Sequence, residues 1–178
     1  MSSKRIALLI ITGIAAICCF SCDYQSASVY VSSESEQPVA TLYGLYDVVR
    51  VVGGDTIIVN IDGEDTRVRF IGVDTPESVN PNEALNTPQG TIAADYTKEL
   101  LAGQQVYLEY DRERTDKYDR TLAYVYLADG ETMVETELLN GGMAQTMTIE
   151  PNTKYAAYFE QLEAAAAEKR IGIWSNAE

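Results

Sequence analysis

Five side chains in this sequence have types and surroundings suited to chemistry at a phosphorus centre: Asp55, Arg69, Asp74, Glu77 and Arg120. Asp55 leaves the Gly53-Gly54 pair, where glycine permits a tight backbone path. Asp74-Thr75-Pro76-Glu77 follows an alternating run that contains Arg67 and Arg69. A hard divalent cation takes oxygen ligands from carboxylates, carbonyls and water. Asp55, Asp74 and the Thr75 carbonyl supply three such ligands if the chain brings them together. Glu77, three residues beyond Asp74, is spaced to meet a water beside that ion. Arg69 and Arg120 carry planar forks that take two phosphate oxygens at once. The set suits in-line hydrolysis of a phosphodiester at a single metal ion, because the carboxylates are too few for two.

Each piece also has a plainer reading. Gly53-Gly54-Asp55-Thr56 is an ordinary turn before a strand. Arg67 and Arg69 share a strand face, and two exposed charges there discourage edge pairing. Glu77 is a loop acid. Asp116-Lys117-Tyr118-Asp119-Arg120 is a charged connection in which Glu113, Asp116 and Asp119 neutralise Arg120. Of the two arginines in the alternating run, Arg69 is the candidate phosphate ligand and Arg67 is left outside the site.

The elements that must position these residues are mostly β. Leu42 to Val52, Thr56 to Ile61 and Thr66 to Ile71 read as a meander, the last two joined by an Asp62-Gly63 turn. A loop from Asp74 to Thr87 leads to a helix from Pro88 to about Leu101. Thr87 is its N-cap, proline opens it, and Ile92, Ala93, Tyr96 and Leu100 form its apolar face. Val106 to Tyr110 and Thr121 to Leu127 are the fourth and fifth strands. Short and long helices follow at Met133 to Leu139 and at about Asn152 to Lys169, and Ile171, Ile173 and Trp174 form a terminal plug. The fold class is mainly β with α: a five-stranded barrel of the OB type carrying three helices.

With 178 residues the chain has room for one domain. Lys4 and Arg5 precede an apolar stretch over residues 6–20, the pattern of an export signal, expected to span residues 1–22. All three cysteines lie at positions 18, 19 and 22, so the domain contains no disulfide, and Cys22 after Ser21 is a candidate for lipid attachment. Residues 23–38, rich in Ser, Glu and Gln, read as a flexible linker, and residues 39–178 as the folded domain. The expected product is exported, extracellular or held at the cell surface. The net charge of −14 argues against binding through a broad basic face. The absence of histidine removes His-based zinc sites and His-dependent triads.

The segments Val51-Val52-Gly53-Gly54-Asp55-Thr56, Val68 to Glu77, Asp116 to Val125 and Lys169 to Trp174 resemble, in order and spacing, the staphylococcal nuclease (thermonuclease) family. The resemblance covers roughly residues 44–174. It implies an OB barrel with three helices and calcium held by Asp55, Asp74 and the Thr75 carbonyl. It implies that Arg69 and Arg120 bind phosphate and that Glu77 stands at the proposed general base. The substrate is then DNA or RNA, cut at the 5′-oxygen side to leave 3′-phosphates by a protein acting as a monomer. Two departures accompany it. Gly53 stands where the family often has an aspartate, and a tyrosine pair of some members is missing from Gly142 to Pro151. A catalytically silent OB module that binds protein or nucleic acid is the alternative expectation.

Overall fold

The computed structural model describes residues 40–79 and 82–175. The expected signal segment and linker lie outside them. Strands β1 (Tyr43–Gly53), β2 (Thr56–Ile61), β3 (Glu64–Phe70), β5 (Gln105–Glu109) and β6 (Thr121–Leu127) close into a barrel in the order β1-β2-β3-β6-β5. β5 returns to pair with β1, so no strand of the barrel is left with a free edge. The β3–β6 pair is parallel and the others are antiparallel. Two register shifts in β1, at Val48/Arg50 and Val51/Gly53, bend this long strand around the closure.

The barrel interior is filled by Ile57, Val59, Val68, Phe70, Val106, Leu108, Ala123 and Val125, all buried. These are mostly β-branched or aliphatic residues at alternating positions, which suits a pleated surface with one face inward. β6 departs from alternation: Ala123, Tyr124, Val125 and Tyr126 are all buried, because helices cover its outer face.

Helix α1 (Pro88–Leu101) begins as the sequence predicts, with the Thr87 hydroxyl accepting from Gly90 N at 3.0 Å. Its buried face is Gly90, Ala93, Ala94, Thr97 and Leu101, one position away from the predicted stripe, and Ile92 is exposed. The shift has a polar cause. Thr97 Oγ1 donates to Gly54 O at 2.7 Å, which turns the helix so that a threonine meets the β1–β2 turn. Helices α2 (Val134–Asn140) and α3 (Ala156–Glu168) pack against one another. Tyr155 and Phe159 bring their rings against Tyr124, at 4.7 and 6.0 Å between centroids.

Two elements have no counterpart in the sequence reading. β4 (Gly72–Asp74) pairs with β7 (Gln145–Met147) in a separate two-stranded ribbon, with Asp74 opposite Gln145 and Gly72 opposite Met147. α3 begins four residues later than predicted, because Asn152 and Lys154 are engaged elsewhere. Asn152 spans the backbone of Glu113 with two 2.8 Å hydrogen bonds, and Lys154 N donates to Asp111 at 3.1 Å.

Candidate active site

The β1–β2 turn, the β3–β4 connection and the segment before β6 line one open cleft of about 860 Å³. Asp55, Arg69, Asp74, Thr75, Glu77 and Arg120, the residues singled out from the sequence, all face it. So do Arg67, Glu113, Asp116, Lys117, Tyr118, Met147 and Ile149.

Asp55 is fixed from several directions. Thr56 Oγ1 donates to its Oδ1 at 2.9 Å, and Thr75 N and Oγ1 donate to its Oδ2 at 3.1 and 3.2 Å. That contact explains Gly54. A Cβ there would lie 2.6 Å from Thr75 Oγ1, so only glycine lets the turn and the Asp74-Thr75 segment close up. Gly53 carries no such constraint; the nearest atom to a Cβ there is Ser78 Oγ at 3.9 Å.

Arg69 ends the alternation of β3 by being buried, only 9% exposed. Its Nη1 donates to Phe70 O at 2.8 Å and to Val73 O at 2.6 Å. Its Nη2 lies 2.8 Å from Asp74 Oδ1 and 3.3 Å from Asp55 Oδ2. One guanidinium edge thus joins both carboxylates, while the other reads the backbone where β3 passes into β4. Burial pushes the Asp74 carboxyl above its ordinary range; the Arg69 charge opposes this and the Asp55 charge adds to it. Arg69 outweighs the Asp55 charge at Asp74, and burial is what leaves the carboxyl raised.

Arg120 is held by the acid that the sequence offered as its neutraliser. Asp116 Oδ2 accepts from Arg120 Nε and Nη2, both at 2.7 Å, and Asp116 Oδ1 accepts from Arg120 N at 3.0 Å. Burial works to raise the Asp116 carboxyl, but hydrogen bonds from Arg120 and Tyr118, with the Arg120 charge, bring it below the ordinary range. The Arg120 guanidinium also lies over the Tyr118 ring, 5.5 Å from its centroid. Neutralisation and positioning are here the same contact, since a two-point ion pair fixes the plane of the fork.

Glu77 is exposed, and its backbone is anchored. Thr87 N donates to Glu77 O at 2.9 Å. A Cβ on Gly90 would come within 2.1 Å of that carbonyl oxygen, so the first turn of α1 and the Glu77 segment meet backbone to backbone. The acid stands on a fixed main chain with its side chain toward solvent and the cleft.

Sequence reasoning missed Met147, whose Sδ lies 3.9 Å from Arg69 Nη2, and Asn152, which ties the cleft-lining segment at Glu113 to the start of α3. Met147 lies in the stretch where the tyrosine pair was noted as absent. With Ile149 it gives that wall an exposed apolar surface.

A closed five-stranded barrel bearing paired carboxylates and buried or braced arginines in one cleft defines a protein of the OB-fold class. A family model described as staphylococcal nuclease homologue matches residues 67–176. A thermonuclease of Staphylococcus hyicus is 40% identical over 97% of this chain and 99% of its own length. A thermonuclease of Staphylococcus intermedius is 50% identical over 72% of this chain and 75% of its own. Endonuclease YncB of Bacillus subtilis (strain 168) is 43% identical over 71% and 59%. The chain belongs to the staphylococcal nuclease family.

Proposed function

We propose that the protein is an endonuclease that hydrolyses phosphodiester bonds of DNA, RNA or both at the 5′-oxygen side, leaving 3′-phosphate ends, with calcium as its cation. The observation that carries this reading is the convergence of Asp55, Arg69 and Asp74 on one point of a cleft that Glu77 and Arg120 also line.

The donor set fits a hard cation in part. Among the described residues no group of three or more His, Cys, Asp or Glu side chains is placed to hold a metal ion. Asp55 and Asp74 are nonetheless two oxygen donors gathered at one arginine, and an added positive charge would favour the ionised form of Asp74 against its burial. They would hold calcium with the Thr75 carbonyl, water completing the shell. When bound, the ion supplies positive charge to the phosphoryl oxygens and to the attacking water.

The remaining roles belong to the chain. Arg69, braced by two backbone carbonyls, presents charge to the scissile phosphate without needing to reorganise. Arg120, braced by Asp116, does the same from the β6 side. Glu77 accepts the proton of the attacking water, its main chain held by Thr87 and its carboxylate free to reach. The silent-module alternative finds little support, since the acids and arginines are not only present but gathered.

Asp55, Arg69, Asp74, Glu77 and Arg120 all come from a single chain, so the reading needs no second copy and takes the protein to act as a monomer. Export, with Cys22 as a lipid-attachment point, is the location we propose from the sequence. Mass spectrometry showing an unmodified mature N-terminus elsewhere would overturn the lipid anchor. The test of the activity is digestion of single-stranded DNA by the purified protein, with calcium or with chelator, and analysis of the new ends. Calcium-dependent cutting to 3′-phosphates is expected. Equal cutting in chelator would remove the metal role, and no cutting in calcium would return the silent module.

A further inference from the structure

Arg67 was set aside in the sequence as a solvated charge protecting a strand edge. The structure offers a second reading: β3 pairs with β2 at Ile58↔Arg67 but with β6 only from Val68↔Thr121 onward, and Arg67 stands where that ladder ends, on the wall of the cleft. It is exposed, and it makes no hydrogen bond, ion pair or ring contact with any described residue. A partnerless arginine on the cleft wall of a protein with net charge −14 calls for an account beyond edge protection.

The register supplies it. Arg67 immediately precedes the start of the β3–β6 ladder on one strand and Arg120 immediately precedes it on the other. Arg67 also shares a strand face with Arg69, two residues and about 6.6 Å further along. All three line the same cleft. Arg69 has Asp55 and Asp74, and Arg120 has Asp116, whereas Arg67 has no acid of its own. Glu113 lines the cleft without pairing to it. The step from Arg69 to Arg67 is roughly that between successive phosphates of an extended single strand.

We propose that Arg67 is a positioning residue that binds a phosphate adjacent to the scissile one, and so selects for polynucleotide strands over single phosphodiesters. Its role is strand grip, not chemistry. Placing a phosphate there costs nothing in broken ion pairs, since there are none to break.

The proposal rests on the nuclease reading, and its test separates the two. Wild type and Arg67→Ala are assayed on a dinucleoside monophosphate, which has only the scissile phosphate, and on a single-stranded oligonucleotide with several. For the oligonucleotide KM is expected to rise about fivefold to tenfold with kcat unchanged, and for the dinucleoside monophosphate neither constant moves. The dependence of log(1/KM) on log salt becomes shallower by about 0.7 for the oligonucleotide, as for one lost phosphate contact. Arg67→Lys keeps most of the oligonucleotide KM, because a non-reacting phosphate needs charge more than a fork. An oligonucleotide KM unchanged in Arg67→Ala would overturn the proposal. So would an equal loss on both substrates, which places Arg67 on the scissile phosphate or in the fold. Failure of the wild type to cleave either substrate would remove the nuclease reading, and this proposal with it.

Discussion

Two regions of the molecule bury acids beside cations, and they are finished to different degrees. At the base of α3, Glu109 is 2% exposed and completely furnished. Its Oε2 accepts from Tyr155 OH at 2.8 Å and Tyr126 OH at 3.1 Å, and its Oε1 accepts from Thr41 N at 3.2 Å and from Lys154 Nζ. Burial holds the Tyr126 hydroxyl far above its ordinary range, so it remains a donor. In the cleft, Asp74 is half exposed, shares one arginine with Asp55, and has its carboxyl raised. An ion pair in a fold therefore does not mark a site. A set of charges left partly unsatisfied at an opening does, because a ligand is what completes it.

The largest separation between the regions should come from Glu77→Gln. Turnover is expected to fall about 10³-fold with the melting temperature unmoved, since nothing in the fold rests on that side chain. A normal rate would remove Glu77 from the chemistry. Glu109→Gln should do the reverse. Removing the charge opposite Lys154 and one acceptor from the network costs about 3 kcal/mol of stability, read by urea unfolding, while activity per folded molecule is retained. Loss of activity at full stability would show that the two regions are coupled.

Gly53→Asp sharpens the cleft side. Position 53 has room for a side chain pointing toward Ser78, and a third carboxylate there should lower the calcium needed for half-maximal activity about tenfold. An unchanged calcium requirement would mean that the glycine costs the site nothing. The smallest effect concerns Glu135, which is fully buried with Val125 N donating to both its oxygens. Burial, more than any other cause, holds its carboxyl well above 4.5. A carboxyl raised in the folded state binds its proton more tightly there than in the unfolded chain. Its contribution is therefore most favourable at low pH and declines as pH rises from the unfolded value toward the folded one. The slope is at most about 1.4 kcal/mol per pH unit. Melting temperatures across that range should show this slope in the wild type and its loss in Glu135→Gln; parallel curves would count against it.

The same contrast explains what was legible in the sequence. The bounds of β2, α1 and β6 were readable to the residue, because β-branched Thr56 to Val59, the Thr87 cap with its following proline, and the apolar run after Arg120 are local signals. β4 and β7 have three residues each, too few to show a period, and exist only because the barrel brings them together. The site acids and arginines were readable as types at spacings, but their partners were not. Nothing local says that Asp116 braces Arg120, that Asn152 holds Glu113, or that Thr97 rather than Ile92 faces inward. Whether Arg67 lies at a strand edge or on a cleft wall is likewise a property of the sheet and not of its neighbours in sequence.

The hydrogen bond from Thr87 N to Glu77 O closes a loop whose two ends leave and re-enter the fold at nearly one point. Lengthening such a loop costs little, about 0.6 kcal/mol for each doubling of its length. Its rim bears exposed Val79 and Leu85, and none of the charged groups assigned to the chemistry lies between its ends. A longer connection between Glu77 and Thr87 would therefore leave the Glu77 main chain where it is, and with it the acid on the cleft wall.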